Sequence, residues 1–300
     1  MNCTLCPRNC NVNRSTQNGV CKTNNVVLSR VAPHMWEEPC VSGTKGSGTV
    51  FFAGCNLQCR FCQNHEISVV PKGVEVTTRQ LADVFLRLQD MGVANVNLVT
   101  PTHFSNKIAS ALQLVKHQLS IPVVYNTGSY EKVEALKQLH GLVDVYLPDL
   151  KFASPTVSKQ LANCPNYFQV ATKAIEEMRR QQPNDVFNAE GYITNGLIIR
   201  HLVLPGFVED SKLVLDWIAQ FGKQTIVSLM SQYFPARTDE LLPQLNRKLF
   251  RHEYNSIVDY FSNVGLQNGF LQDLQSATQD YLPNFDKDLV LQLLATLPNN

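Results

Sequence analysis

The sequence has no apolar run approaching the ~18 residues that a membrane-spanning helix requires, so no membrane contact is expected. Its first residues, Met-Asn-Cys-Thr-Leu-Cys, lack the basic stretch and apolar stretch of a secretory signal, and the chain is expected in the cytoplasm. An excess of charge is missing too. Against 25 Asp and Glu stand 26 Lys and Arg, a net +1, so the balance gives no broad pull toward nucleic acid. No internal repeat or low-complexity tract occurs. Beyond residue 62 cysteine occurs once, at Cys164.

The other eight of the nine cysteines crowd into the first 62 residues. An odd number, in a long chain without a secretory signal, argues against a disulfide framework. It argues for metal-binding or catalytic thiols in a reduced setting. Three hundred residues, 44% of them hydrophobic, suffice for one large domain with a full core or for two small ones.

The densest information lies between residues 48 and 66. A short apolar run (Val50, Phe51, Phe52, Ala53) reads as a buried strand ending at Gly54. Cys55, Cys59 and Cys62 follow on a loop, spaced C-x3-C-x2-C, with Phe61 before the last. Three thiolates can hold three irons of a cubane cluster and leave the fourth iron open, whereas clusters are otherwise usually held by four cysteines. The competing reading is a zinc knot, with His65 as a fourth ligand.

Upstream, Cys3, Cys6, Cys10 and Cys21 make a second set in a segment too small for its own core. A closed four-cysteine zinc site would supply folding energy to such a segment; a second iron–sulfur cluster and unliganded thiols are the other readings. Between the sets, Val26 to Leu28 read as a strand, and His34, Glu37, Glu38 and Cys40 are candidate functional groups or loop residues. Gly43, Gly46 and Gly48 permit close backbone approach.

From residue 50 strands and helices alternate. Thr77 or Thr78 caps a helix with apolar positions Leu81, Val84, Phe85 and Leu88, ending near Gly92. Ala94–Val99 reads as a strand, 105–118 as a helix, Val123–Tyr125 as a strand. Ser129 is the expected cap of the next helix, which stops at Gly141, and Val143–Leu147 is the next strand. Helices fill 155–192. Leu197–Leu204, Lys212–Phe221 and Thr225–Met230 then read as strand, helix and strand. Such alternation implies a parallel α/β architecture, and six units suit an open, partial (β/α)6 TIM-like barrel. The expected divisions are a Cys-rich segment (1–47), a barrel (48–238) and a helical tail (239–300), with helices at His252–Val264 and Lys287–Leu297.

In parallel α/β folds functional residues gather after the C-terminal ends of strands. Here those positions carry the cysteine trio, then Thr100-Pro101-Thr102-His103, Asn126-Thr127-Gly128-Ser129, Pro148-Asp149-Leu150-Lys151, Arg200-His201 and Ser231-Gln232-Tyr233. A zinc-stabilised binding module gives no reason for that series. Arg200 is a candidate carboxylate partner, because its fork suits bidentate pairing. His103, His201 and Tyr233 read as either wall residues or catalysts.

The trio resembles the signature of the radical S-adenosylmethionine (SAM) superfamily. The resemblance implies that the open iron is chelated by SAM, that Phe61 lies near the adenine, and that the fold is the partial barrel. Gly-Cys-Asn-Leu-Gln-Cys-Arg-Phe-Cys-Gln-Asn, Asn126-Thr127-Gly128, Asp149-Leu150-Lys151 and Arg200 to Gly206 are similar to the glycyl-radical-enzyme activase branch, which includes pyruvate formate-lyase activating enzyme. Asp149 and Lys151 thereby inherit candidate contacts to SAM and to a peptide substrate. The implied partners are a protein substrate, such as a glycyl radical enzyme, and an electron donor such as flavodoxin or ferredoxin. Two positions depart from the pattern. Thr100-Pro101-Thr102 stands where most members have Gly-Gly-Glu-Pro, so Thr hydroxyls and backbone carbonyls would have to hold the methionine amino group. Asn126 stands where the activases have an Asp that helps bind a monovalent cation. Hydrogen abstraction from another protein or a small molecule is the rival within the same chemistry.

Overall fold

The computed structural model describes residues 2–278 and 283–297; Met1, 279–282 and 298–300, parts of the N-terminal segment and the tail, lie outside them. In chain order the elements begin with β1 (Val27–His34), α1 (Pro39–Ser42), β2 (Ser47–Phe52), α2 (His65–Ser68), β3 (Val74–Glu75) and α3 (Thr78–Asp90). Next come β4 (Val96–Val99), α4 (Ser105–Val115), β5 (Val123–Thr127), α5 (Val133–Lys137), β6 (Val145–Pro148), α6 (Pro155–Ala162) and α7 (Tyr167–Gln181). The chain closes with β7 (Val186–Phe187), β8 (Ile193–Leu202), α8 (Val208–Phe221), β9 (Ile226–Met230), α9 (Arg251–Asn263), β10 (Gly269–Leu271) and α10 (Lys287–Ala295).

The strands form one sheet in the order β10-β9-β8-β6-β5-β4-β2-β1-β3, with β7 beside β8. Along this path from β2 to β10 every neighbouring pair is parallel, while β7 lies antiparallel beside β8. The path has two ends, so this is the expected open, partial α/β barrel. Its parallel strands are almost wholly apolar where they are buried on both faces: Val96, Leu98, Val123, Val124, Tyr125, Val145, Tyr146 and Leu147 are all fully buried.

The helices follow their apolar spacing. α3 buries Leu81, Val84, Phe85 and Leu88. It starts where expected: Thr77 accepts from the Gln80 N–H and the Gln80 side chain accepts from the Thr77 N–H, a reciprocal cap. α5 does not start at Ser129. That residue has φ +62° and its Oγ is buried without a partner, whereas a capping residue has extended backbone and offers its oxygen to the helix. Lys132 occupies the cap position.

Two further departures concern the ends. The short strand expected at 26–28 runs from Val27 to His34, because it pairs antiparallel with β2 along its length. The tail, expected to be helical, also carries β10, which lies parallel to β9. α10 packs on β1, α3 and β3, so the tail covers one edge of the barrel. Among the described residues no helix is long and apolar enough to cross a membrane.

Candidate active site

The C-terminal ends of the six strands from β2 to β9 open on one cavity. Phe51, Phe52 and Val99 close one side, and Leu202 and Met230 another. Cys55, Cys59 and Cys62 line it together with Phe61, Thr100, Thr102, Asn126, Asp149, Lys151 and Arg200. Sequence-predicted residues from five loops are thus brought together. Pro101 and His65 are not on the wall.

The trio loop is held from several directions. Asn56 donates to the Tyr130 carbonyl (2.8 Å), the Arg60 N–H to the Leu161 carbonyl (2.8 Å), and the Arg60 fork to both oxygens of Asp239 (2.7 and 2.6 Å). Gly54 lets β2 enter the loop at φ +82°, and a Cβ there would lie 2.2 Å from the Cys21 carbonyl oxygen. Only glycine fits. The Leu57 N–H points at Cys55 Sγ (3.3 Å) and the Ser68 hydroxyl at Cys62 Sγ (3.5 Å), so two of the sulfurs already meet donors. Burial pushes the Cys55 and Cys59 thiols above the ordinary thiol range, with the Lys151 ammonium opposing it at Cys59. A bound metal that replaces those protons removes the penalty.

Opposite the trio lies a buried charge network. Arg200, at the end of β8, donates from Nε to Asp149 Oδ1 (2.8 Å), from Nη1 to Glu37 Oε2 (3.2 Å) and from Nη2 to Asn126 Oδ1. Lys151 pairs with the other Asp149 oxygen. Glu37 also accepts from Asn97 (3.1 Å) and Asn126 (3.4 Å). Burial alone would raise the Asp149 carboxyl, but Arg200 and Lys151 outweigh it and hold it below the usual carboxylate range. Burial raises the Glu37 carboxyl, against the pull of Arg200. Arg200, read from sequence as a partner for a ligand carboxylate, spends three of its five N–H donors within the chain, and Lys151 Nζ spends one of its three on Asp149.

The loop after β6 is fixed by Tyr167, which the sequence reading did not single out. Its hydroxyl lies 2.8 Å from the Asp149 carbonyl oxygen and accepts from the Lys151 N–H at 3.0 Å. Glu131 was also missed. It is 2% exposed, and its Oε1 accepts from the hydroxyls of Thr102 (2.6 Å), Thr127 (2.6 Å) and Tyr125 (3.2 Å). The Thr102 hydroxyl, expected to face SAM, is therefore committed to Glu131. His103, His201 and Tyr233 are buried and bonded to the Ala53, Leu150 and Leu245 carbonyls, as wall residues are.

Thr100 is held at φ +61°, a conformation that costs a β-branched residue on the order of 1–3 kcal/mol. Its N–H is tied to the Asn126 carbonyl (2.9 Å). Thr100→Gly is expected to gain about 1 kcal/mol in stability, read by thermal unfolding, since glycine adopts this backbone without strain. A lower melting temperature would show that the threonine side chain contributes more than its strain costs.

Three thiols spread round a cavity wall fit a cluster that takes one thiolate at each of three corners. Among the described residues no three His, Cys, Asp or Glu side chains converge closely enough to hold one metal ion. His65, the fourth ligand expected for a zinc knot, is not on the cavity wall.

The sequence pattern of the Radical SAM superfamily matches residues 49–218. An uncharacterized protein of Methanocaldococcus jannaschii is 30% identical over 275 residues, covering 88% of this chain and 75% of that one. Among solved structures, a domain of pyruvate-formate lyase-activating enzyme from Bacteroides vulgatus is 16% identical, covering 57% of this chain and 92% of that one, with a TM-score of 0.40. Methylornithine synthase is 15% identical, covering 85% and 83%, with a TM-score of 0.49. The chain belongs to the radical SAM superfamily.

Proposed function

We propose that this chain holds a [4Fe–4S] cluster on Cys55, Cys59 and Cys62, cleaves SAM reductively beside it, and abstracts a hydrogen from a glycyl residue of a partner protein. One observation carries the reading: the trio opens on the same cavity as Phe61, Asp149, Lys151 and Arg200, at the C-terminal ends of the barrel strands. A [4Fe–4S] cluster held by these three sulfurs would supply the electron for reductive cleavage of SAM, and with it the radical chemistry of hydrogen abstraction.

The residues of the chain bind, orient and exclude. The three sulfurs anchor the cluster, and the Leu57 N–H and Ser68 hydroxyl stabilise the charge on two of them. Phe61, 8% exposed and packed edge-on against Phe152, gives a flat apolar wall of the kind an adenine needs. Lys151 and Arg200 each keep two N–H donors for a ligand carboxylate. Arg200, tied to Asp149, Asn126 and Glu37, fixes the carboxylate beside it. Tyr167 ties the backbone of Asp149 and Lys151 to the Gly128 carbonyl of the loop after β5.

The test is anaerobic. Reconstituted protein, reduced with dithionite, is incubated with SAM and a purified glycyl radical enzyme. 5′-Deoxyadenosine and a glycyl radical signal are expected. Cleavage without that signal would transfer the reading to another protein or a small-molecule substrate, and no cleavage would end the radical reading.

A further inference from the structure

The four N-terminal cysteines enclose a space of their own. Cys3, Cys6, Cys10 and Cys21 line one small cavity, together with Arg8, Arg14 and His103. The segment is folded around these thiols: Cys3 N–H donates to Val12 O (2.8 Å), Asn11 N–H to Cys3 O (3.0 Å), and Val20 N–H to Cys10 Sγ (3.3 Å). Gly19 allows the close passage, since a Cβ there would sit 3.1 Å from Cys10 Sγ.

Two buried polar atoms on this wall lack a partner. His103 is 2% exposed; its Nε2 meets the Ala53 carbonyl at 2.8 Å, and its Nδ1 is buried with no partner. Arg14 donates from Nη1 to the His103 carbonyl (2.6 Å) and from Nη2 to the Thr23 carbonyl (3.2 Å), which leaves its Nε buried and unpartnered. Burying such atoms without partners is costly. The His103 Nδ1 is an acceptor, since Nε2 donates to the Ala53 carbonyl, so the Arg14 Nε–H is the donor beside four thiols that the chain leaves without an acceptor.

The wall shared with the SAM-cluster loop and the two arginines beside the thiols favour a cluster over a single ion. Tetrahedral zinc, about 2.3 Å from each sulfur, would draw the thiols to within about 3.8 Å of one another. Among the described residues no three His, Cys, Asp or Glu side chains form a group that could hold one metal ion. The N-terminal set has this in common with the trio, whose family signature belongs to a cubane. A cubane takes one thiolate per corner and keeps its ligands apart. Four thiolates also bring negative charge, which Arg8 and Arg14 face.

We propose that Cys3, Cys6, Cys10 and Cys21 hold a second [4Fe–4S] cluster, backed by Arg14 and seated against the loop of the SAM cluster. The two cysteine sets share a wall. The Cys21 carbonyl packs on Gly54, Arg8 donates to the Asn56 (2.7 Å) and Leu57 (3.3 Å) carbonyls, and Gln58 donates to the Val20 carbonyl. With all four corners filled by thiolate, this cluster has no iron open to substrate. Its chemistry is one-electron transfer: an electron enters from a low-potential iron–sulfur or flavin donor and leaves to the neighbouring cluster, with no bond made or broken.

Iron, sulfide and zinc are counted on the full chain after anaerobic reconstitution, beside a Cys10→Ser/Cys21→Ser variant. Wild type is expected to hold about eight irons and eight sulfides and no stoichiometric zinc. Reduced, it should give two electron paramagnetic resonance signals, one altered by SAM and one indifferent to it, broadened by each other's spin. The variant should lose about four irons and the indifferent signal. About four irons with one zinc, or about four irons alone, in wild type would overturn the proposal, and that count decides even where the variant fails to fold. Loss of the SAM-sensitive signal alone would count against the proposed function and leave this site standing.

Discussion

Arg200→Met is expected to lose about 3–5 kcal/mol of stability at neutral pH, because it removes one partner of a buried ion network. The guanidinium donates to Asp149, Glu37 and Asn126, and its side chain is 12% exposed. Methionine fills much of the same volume, so the loss is electrostatic rather than a cavity. What remains is Glu37 and Asp149 in one low-dielectric space, with Lys151 as the nearer cation to Asp149 only. The sign of the pH dependence follows. In wild type Asp149 is held below its ordinary range, so its contribution is present above the unfolded carboxylate range and lost as pH falls. Glu37 is raised by burial, so its ionised form costs stability at neutral pH and the cost disappears on protonation. Without Arg200 burial pushes both carboxyls up, and both take protons in the folded state as pH falls. The deficit of the variant should therefore be largest at neutral and alkaline pH and shrink on acidification. Urea unfolding of both proteins at two pH values measures it. An equal deficit at both would mean that the arginine acts through packing. Arg200→Lys should recover only part, since an ammonium cannot span Asp149, Glu37 and Asn126 together.

The same residues show what a sequence can and cannot reveal. The trio was legible because its spacing is local, and the polar series at the strand ends because parallel strands deliver their C-terminal loops to one face. Glu37 was recognisable as a candidate, but its partner Arg200 is 163 residues away, and nothing local announces that pairing. Glu131 reads as an ordinary acidic residue near a helix start. Its meaning comes from three hydroxyls, on Thr102, Tyr125 and Thr127, that only the closed barrel brings to one oxygen. Ser129 has the chemistry of a cap, yet the turn after β5 puts it in the left-handed region and Lys132 takes the position. β10 is three residues long and exists through its pairing with β9. So short a strand has no periodicity of its own to read.

Alanine at any one of Cys55, Cys59 or Cys62 is expected to abolish SAM cleavage as completely as alanine at all three, with the loss of about four irons per chain. A cubane that offers one iron to SAM depends on three protein attachments; with two, a second iron opens to solvent and the cluster degrades. Neither His65 nor Cys164 lines the cavity. The Cys164 thiol is buried and turned toward the Ala162 carbonyl at 3.0 Å. The fold should tolerate the change, because β2, Gly54 and the Arg60–Asp239 pair position the loop without the thiols. Removing one buried sulfur costs on the order of 1 kcal/mol. Iron and sulfide content, 5′-deoxyadenosine yield and the melting temperature of the metal-free protein separate these effects. A single variant that keeps its full iron and still cleaves SAM would show that the cysteine it lacks is not a ligand. A variant that loses iron and also melts far below wild type would mean that the thiols help to build the loop as well as hold the cluster. With both results excluded, the three sulfurs are ligands on a loop that the barrel has already shaped.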